Sequence, residues 1–267
     1  MPKKILITGA TDGIGLETAK ALVVQGHHVL IHGRSQSKLE RVEKELSEIS
    51  ADAQVESYLA DLSSLPEVKS LANTVSKNHK NLDVLINNAG ILKTSTPVTK
   101  EGLDVRFAVN TLAPYLLTQR LLPLLGTSGR VINLSSAAQS SVNIDALVGR
   151  AKLTDDLNAY AQSKLAITMW SHALAQSMKD TGPVFIAVNP GSLLATKMVK
   201  EGFGMSGKDI GIGAEILIRA ALSDEFASAS GKYFDNDSGK FTPPHADVLD
   251  QKKSEEVVNT IESLLGS

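Results

Sequence analysis

A short apolar run, Ile5-Leu6-Ile7, ends in Thr8-Gly9-Ala10-Thr11-Asp12-Gly13-Ile14-Gly15. An amphipathic stretch follows at once, with Leu16, Ala19, Leu22 and Val23 on one face. A buried strand, a glycine turn and a helix start are what a dinucleotide needs. Glycines let the backbone approach a pyrophosphate, while the free N–H groups and positive dipole at the helix start stabilise its charge. The spacing is G-x-x-x-G-x-G rather than the commoner G-x-G-x-x-G, so it selects a subclass of such turns.

The rest of the chain keeps this rhythm. Strands are expected at Lys4–Thr8, His28–His32, Val55–Leu59, Val84–Asn87, Arg130–Leu134, Val184–Asn189 and Lys232–Phe234. Helices are expected at Gly13–Gln25, Ser37–Ser50, Leu65–Asn78, Thr99–Leu125, Asp155–Asp180, Asp209–Leu222 and Val248–Leu265. Such alternation, with strands that read as nearly continuous apolar runs, predicts an α/β fold. The expected form is a doubly wound, mostly parallel, Rossmann-like sheet in a single domain over 1–267. Two stretches break the rhythm: 139–154 reads as an insertion, and 192–208 as a substrate lid. The lid interleaves Gly202, Gly204 and Gly207 with Met198, Val199, Phe203 and Met205.

A net charge of −2 leaves no footprint for nucleic acid, and with no cysteine there are no disulfides or thiolate sites. The six histidines show no ligand spacing, and Asp155-Asp156 fits a helix cap, so no metal is expected. Met1-Pro2-Lys3-Lys4 has the charge of a signal segment, but the apolar run behind it is too short. The expectation is a cytoplasmic protein without a membrane anchor.

Tyr160-Ala161-Gln162-Ser163-Lys164 places a phenol and an amine on one helix face. A free tyrosine titrates near pH 10, and a neighbouring ammonium lowers that value, so the pair suits general acid/base work. Asn87-Asn88-Ala89-Gly90, Asn110 and Ser135-Ser136 fall at, or beside, the carboxyl ends of expected strands. With these motifs the chain resembles the short-chain dehydrogenase/reductase family, in its one-domain subclass marked by T-G-x-x-x-G-x-G, N-A-G and Y-x-x-x-K.

The resemblance implies roles for individual residues. Tyr160 exchanges a proton with the substrate oxygen. Lys164 binds the nicotinamide ribose and lowers the Tyr160 pKa, Ser136 hydrogen-bonds the substrate, and Asn110 holds a water that links Lys164 to solvent. Gly9, Thr11, Asp12, Gly13, Ile14 and Gly15 belong to the pyrophosphate turn. Asp61 and Leu62 flank the adenine, and Asn88, Ala89 and Gly90 line the adenosine side. Pro190 and Gly191 bend the chain over the nicotinamide, with Leu193 against its carboxamide. The family's threonine stands five residues after the proline; here Ala195 holds that slot, and a one-residue expansion brings Thr196 to the pyrophosphate.

Strand two ends in Gly33-Arg34-Ser35. An NAD enzyme usually has an acidic residue there; glycine supplies none, while Arg34 and Ser35 suit a 2′-phosphate. Asp12 weighs the other way, and NADP is expected over NAD. The long gap between Ser136 and Tyr160, with Lys232-Tyr233-Phe234 and Pro243-Pro244, resembles the retinol dehydrogenase and protochlorophyllide reductase branch. The function implied is NADP(H)-dependent hydride transfer to or from a lipophilic carbonyl or alcohol as small-molecule substrate. The alternatives are a non-catalytic NADP(H)-sensing protein and a C=C reductase. The Leu112–Leu125 helix and the Trp170 face, with Ala166, Met169, Ala173 and Leu174, are expected to meet a second copy in a homodimer or homotetramer.

Overall fold

The computed structural model describes residues 1–204 and 206–266. Met205, the Phe203 side chain and Ser267 lie outside that description, including the two apolar lid residues named above. Strands β1 (Lys4–Ile7), β2 (His28–Gly33), β3 (Gln54–Leu59), β4 (Val84–Asn87), β5 (Arg130–Leu134), β6 (Val184–Asn189), β7 (Tyr233–Asp235) and β8 (Lys240–Thr242) form one sheet. Its order is β3-β2-β1-β4-β5-β6-β7-β8, parallel except for the β7–β8 hairpin. The chain reverses its winding direction between β1 and β4, which opens a crevice beyond their carboxyl ends, where ligands of such sheets bind.

Helices cover both faces. On one lie α1 (Gly13–Val24), α2 (Gln36–Ser47) and α9 (Gly211–Leu222). These pack over Ile5, Ile7, Val29, Ile31, Val84, Ile86, Ile132 and Ile186. On the other, α3 (Leu65–Asn78), α5 (Ala113–Leu125), α7 (Asp156–Ser177) and α11 (Gln251–Leu265) cover Leu6, Leu30, Leu85, Val131 and Phe185. Alternate residues of one strand serve opposite cores, which is why the strands are apolar throughout.

The expected helix over Thr99–Leu125 begins late. A bridge between Val98 and Asp104 closes a turn through Gly102, whose φ is +82°. Asp104 then caps a short helix, α4 (Val105–Phe107). A π-turn over Ala108–Leu112 follows before α5. Its cause is legible: Pro114 stands four residues after Asn110 and has no N–H to give the Asn110 carbonyl. The 139–154 stretch holds a single helical turn, α6 (Ile144–Leu147), and the 192–208 stretch holds α8 (Lys197–Phe203), capped by Thr196. The expected last helix is two: α10 (Ala246–Leu249), then α11, started by Asp250 accepting the Lys253 N–H. Strand β8 was not expected from the sequence.

The face expected to meet a second copy is covered from within. Trp170 is fully buried, its ring edge-on to Tyr115 at 5.5 Å, and it shares a core with Val257, Ile261 and Leu265 of α11. Tyr115 donates to Glu262 Oε1 at 2.7 Å. The Trp170 side of α7 is therefore occupied by the chain's own C-terminal helix. Among the described residues no helix is long and apolar enough to cross a membrane.

Candidate active site

The glycine turn is stitched to the loop after β4. The Thr8 hydroxyl oxygen accepts the N–H groups of Asn88 and Ala89, each at 3.1 Å. Asn88 in return donates its amide to the carbonyls of Thr8 and Gly9, at 2.8 and 3.1 Å. These contacts leave no room for side chains: a Cβ on Gly9 would stand 2.9 Å from Ala89 Cα, and one on Gly15 only 2.4 Å from the Gly9 carbonyl oxygen. Gly15 thus closes the turn and lies behind the cleft lining. Gly13, at φ +60°, has no atom nearer than 3.9 Å to such a Cβ, so its face is open to the cleft. Asp12 caps α1 through the Gly13 N–H at 2.8 Å.

One cleft of about 780 Å³ runs along the strand ends. Of the expected cofactor residues, Gly9, Thr11, Asp12, Gly13, Ile14, Arg34, Asp61, Leu62, Asn88, Ala89, Gly90, Pro190, Gly191, Leu193 and Thr196 line it. Ser35 does not; its hydroxyl meets Ser37 at 3.3 Å in the first turn of α2. The Asp61 carboxylate accepts from Ser63, backbone and hydroxyl. Lys38, one turn into α2, joins Arg34 at this end, its ammonium 3.9 Å from Asp12. Sequence reasoning passed over Lys38, although its place one turn after Arg34 was the signal. A Cβ on Gly33 would meet Thr11 Cγ2 at 2.6 Å, so glycine lets the two loops touch.

His32 was also passed over, though a histidine inside an apolar strand was the clue. Its Nδ1 accepts the Gly9 N–H at 3.2 Å, which leaves Nε2 to donate to the Ala60 carbonyl at 3.0 Å. Burial pushes its pKa down to about 4, and the ring is neutral in this role.

At the other end stand Tyr160, Lys164 and Ser136. The 22-residue helix α7 carries the first two on one face, and the Lys164 ammonium lies 5.6 Å from the Tyr160 ring centre. Asp155 caps α7, as expected, and Asp156 in its first turn pairs with the buried Arg106 of α4. Arg106 also grips Asp104, so α7 is fixed to the segment bearing Asn110. Lys164 is buried and donates to the Leu134 carbonyl at 2.6 Å. Burial without an anionic partner lowers its pKa to about 7. Burial raises the Tyr160 phenol above its usual value, and a hydrogen bond with Ser136 opposes the rise. The arrangement thus holds a protonated phenol beside a hydroxyl and an amine that titrates near neutrality.

Asn110 sits in the π-turn, fully buried, outside the cleft lining. Its side chain accepts the Ile91 N–H at 2.8 Å and donates to Ile91 O and Ser163 Oγ at 3.0 and 2.9 Å. Both amide protons are therefore spent inside the protein.

The loop after β6 carries Leu193 in the left-handed region. This is the one non-glycine residue with positive φ, +57°, among the described residues. Beyond it, Thr196 lines the cleft and caps α8 through the Val199 N–H at 3.2 Å. Apolar side chains also line the cleft, among them Leu92, Val98, Val105, Val109, Leu157 and Met198, interspersed with Thr94, Thr96, Thr99 and Lys100.

The residues present fit a dinucleotide. The turn leaves no room for side chains at Gly9 and Gly15, α1 begins at it, and Arg34 and Lys38 line the cleft beside the end of β2. A family model for short chain dehydrogenases matches residues 3–207. Mouse retinol dehydrogenase 13 is 31% identical over 263 residues, covering 92% of this chain and 79% of that one. Among solved structures, an uncharacterized protein from Mycobacterium paratuberculosis superposes with a TM-score of 0.82 at 26% identity, covering 99% of this chain and 94% of its own. A short chain dehydrogenase from Shigella flexneri complexed with NADP gives 0.69 at 28% identity, covering 88% and 96%. The chain belongs to the short-chain dehydrogenase family, in its retinol dehydrogenase-like branch, and is an NAD(P)-dependent oxidoreductase acting on CH–OH or C=O groups.

Proposed function

We propose that this chain prefers NADP(H) and interconverts a lipophilic aldehyde or ketone with its alcohol. The observation that carries the cofactor preference is the edge of β2. Gly33 offers no carboxylate for a ribose 2′-hydroxyl, while Arg34 and Lys38 line the cleft beside it. Among the described residues Arg34 engages no carboxylate, so its guanidinium is available to pair with a 2′-phosphate. The complex of the Shigella relative with NADP supports the same preference.

When bound, the nicotinamide supplies or accepts the hydride. The protein's part is the proton. Ser136 donates to the substrate oxygen and Tyr160 gives it a proton during reduction, or takes one during oxidation. A phenol that burial keeps protonated suits the reductive direction. Lys164 would hold the ribose hydroxyls of a bound cofactor, and its pKa near 7 lets it return a proton to Tyr160. The side chain of Asn110 is engaged by Ile91 and Ser163, so a water that completes the route would be held by its main-chain carbonyl. The apolar side chains of Val98, Val109, Leu157 and Met198 in the cleft lining favour a lipophilic substrate, in keeping with the retinol dehydrogenase relatives.

The test is NADPH against NADH oxidation with a panel of medium-chain and polyene aldehydes, for the wild type and Arg34→Ala. The expected result is a KM for NADPH raised about tenfold or more in the variant, with the NADH value little changed. Preference for NADH, untouched by Arg34→Ala, overturns the cofactor assignment.

A further inference from the structure

We infer that the β7–β8 hairpin positions the reactive serine: Tyr233 holds the Ser136 carbonyl, and so sets where the Ser136 hydroxyl meets Tyr160 and the substrate oxygen. This rests on the roles of Ser136 and Tyr160 proposed above. The need for such a device is visible in the backbone. The Ser135 N–H makes the last ladder bond of β5, to the Val188 carbonyl at 2.8 Å. Ser136 lies past the ladder, in an irregular stretch that reaches Asn143.

Two side chains fix it there. The Tyr233 hydroxyl donates to the Ser136 carbonyl at 3.0 Å, and Gln139 Nε2 donates to the same oxygen at 2.8 Å. The Ser136 hydroxyl oxygen accepts the Ala138 N–H at 3.1 Å, which directs its proton outward. Of the two donors Tyr233 is the rigid one. It is buried in a strand paired on both sides, with Ala187 of β6 and Thr242 of β8. Gln139 belongs to the irregular stretch itself.

The same hairpin grips the loop that follows β6. Asn236 donates to the Pro190 carbonyl at 3.0 Å, and the Asp237 carboxylate accepts from Ser192 N and Asn189 Nδ2, each at 2.9 Å. The hairpin thus touches the serine on one side and the Pro190–Ser192 loop on the other, without lining the cleft itself. Tyr233 acts through Ser136 and is a positioning residue.

The experiment compares Tyr233→Phe, Tyr115→Phe and Tyr160→Phe in the full chain, using the best aldehyde–alcohol pair from the panel. Tyr115→Phe also removes a buried phenol hydroxyl, one that faces Glu262 far from the cleft. For Tyr233→Phe the expected result is a kcat lowered roughly tenfold or more, with KM for NADPH within about twofold, because misplacement near the reacting atoms acts on the chemical step. The ascending limb of alcohol oxidation, set by deprotonation of Tyr160, also moves to higher pH, because the Ser136 hydrogen bond that lowers the Tyr160 pKa is weakened. Tyr115→Phe keeps the wild-type kcat and limb. A Tyr233→Phe enzyme with wild-type kcat overturns the inference. So does a kcat loss without movement of the limb, or one matched by Tyr115→Phe. Turnover surviving in Tyr160→Phe instead overturns the underlying reading of the site.

Discussion

His32 and Gly9 are joined by one hydrogen bond, from the Gly9 N–H to His32 Nδ1 at 3.2 Å, that fixes both the glycine turn and the protonation state of the ring. Because Nδ1 accepts, the proton resides on Nε2 and reaches the Ala60 carbonyl. One neutral imidazole thereby ties together the ends of β1, β2 and β3.

Acid stability should report this bond. The folded-state pKa of His32 is depressed to about 4 from 6.5, so the unfolded chain binds the proton more readily between those values. The contribution is present above pH 6.5 and is lost as pH falls through about 4. It amounts to roughly 3 kcal/mol. Urea unfolding at pH 7, 5 and 4 should show this loss in the wild type and a flatter dependence in His32→Asn, whose amide can accept from Gly9 without titrating. Equal slopes would contradict the role given to the ring.

Lys164 should carry a stability cost in exchange for its chemistry. Its folded pKa lies near 7 against 10.5 for a free lysine, so folding opposes its charge. The penalty is fully present below about pH 7 and fades as pH rises toward 10.5, the unfolded chain holding the extra proton in that window. The bond to the Leu134 carbonyl offsets part of it. Lys164→Met should therefore unfold at a higher temperature than the wild type at pH 7, while losing turnover. A lower melting temperature would contradict this.

Much of this was legible in the chain because the strands are buried on both faces and read as unbroken apolar runs. The same pattern places Ser136, Tyr160 and Lys164 at one edge of the sheet from the sequence alone. What the sequence hid depended on tertiary contact. The expected helix over Thr99–Leu125 has the right periodicity throughout, yet Gly102 and Asp104 delay its start and Pro114 widens its first turns. Asn110 was recognisable as a polar residue near the site, but the spending of its amide on Ile91 and Ser163 required the fold. The Trp170 side chain is a further case. An apolar stripe records only that something covers it, and the packing of α11 over Trp170 required the fold.

That cover can be tested, because Trp170 is the only tryptophan. Buried under Ile261 and its neighbours, it should emit at short wavelength at every protein concentration. Ile261→Asp should shift the emission to the red and destabilise the fold by about 2–5 kcal/mol, in line with losing a buried aliphatic side chain. A red shift of the wild type on dilution would mean instead that a partner covers this face.

The central claim is that the Tyr160 hydroxyl carries the proton of the redox reaction, and Tyr160→Phe tests it with the fewest intervening steps. The ring remains in place on α7 and only the acid is removed, so NADPH should bind within about twofold of wild-type affinity while kcat falls by 10²-fold or more. Steady-state reduction of the best panel aldehyde, with NADPH binding followed by fluorescence, gives both values. Wild-type kcat in the variant would contradict the assignment.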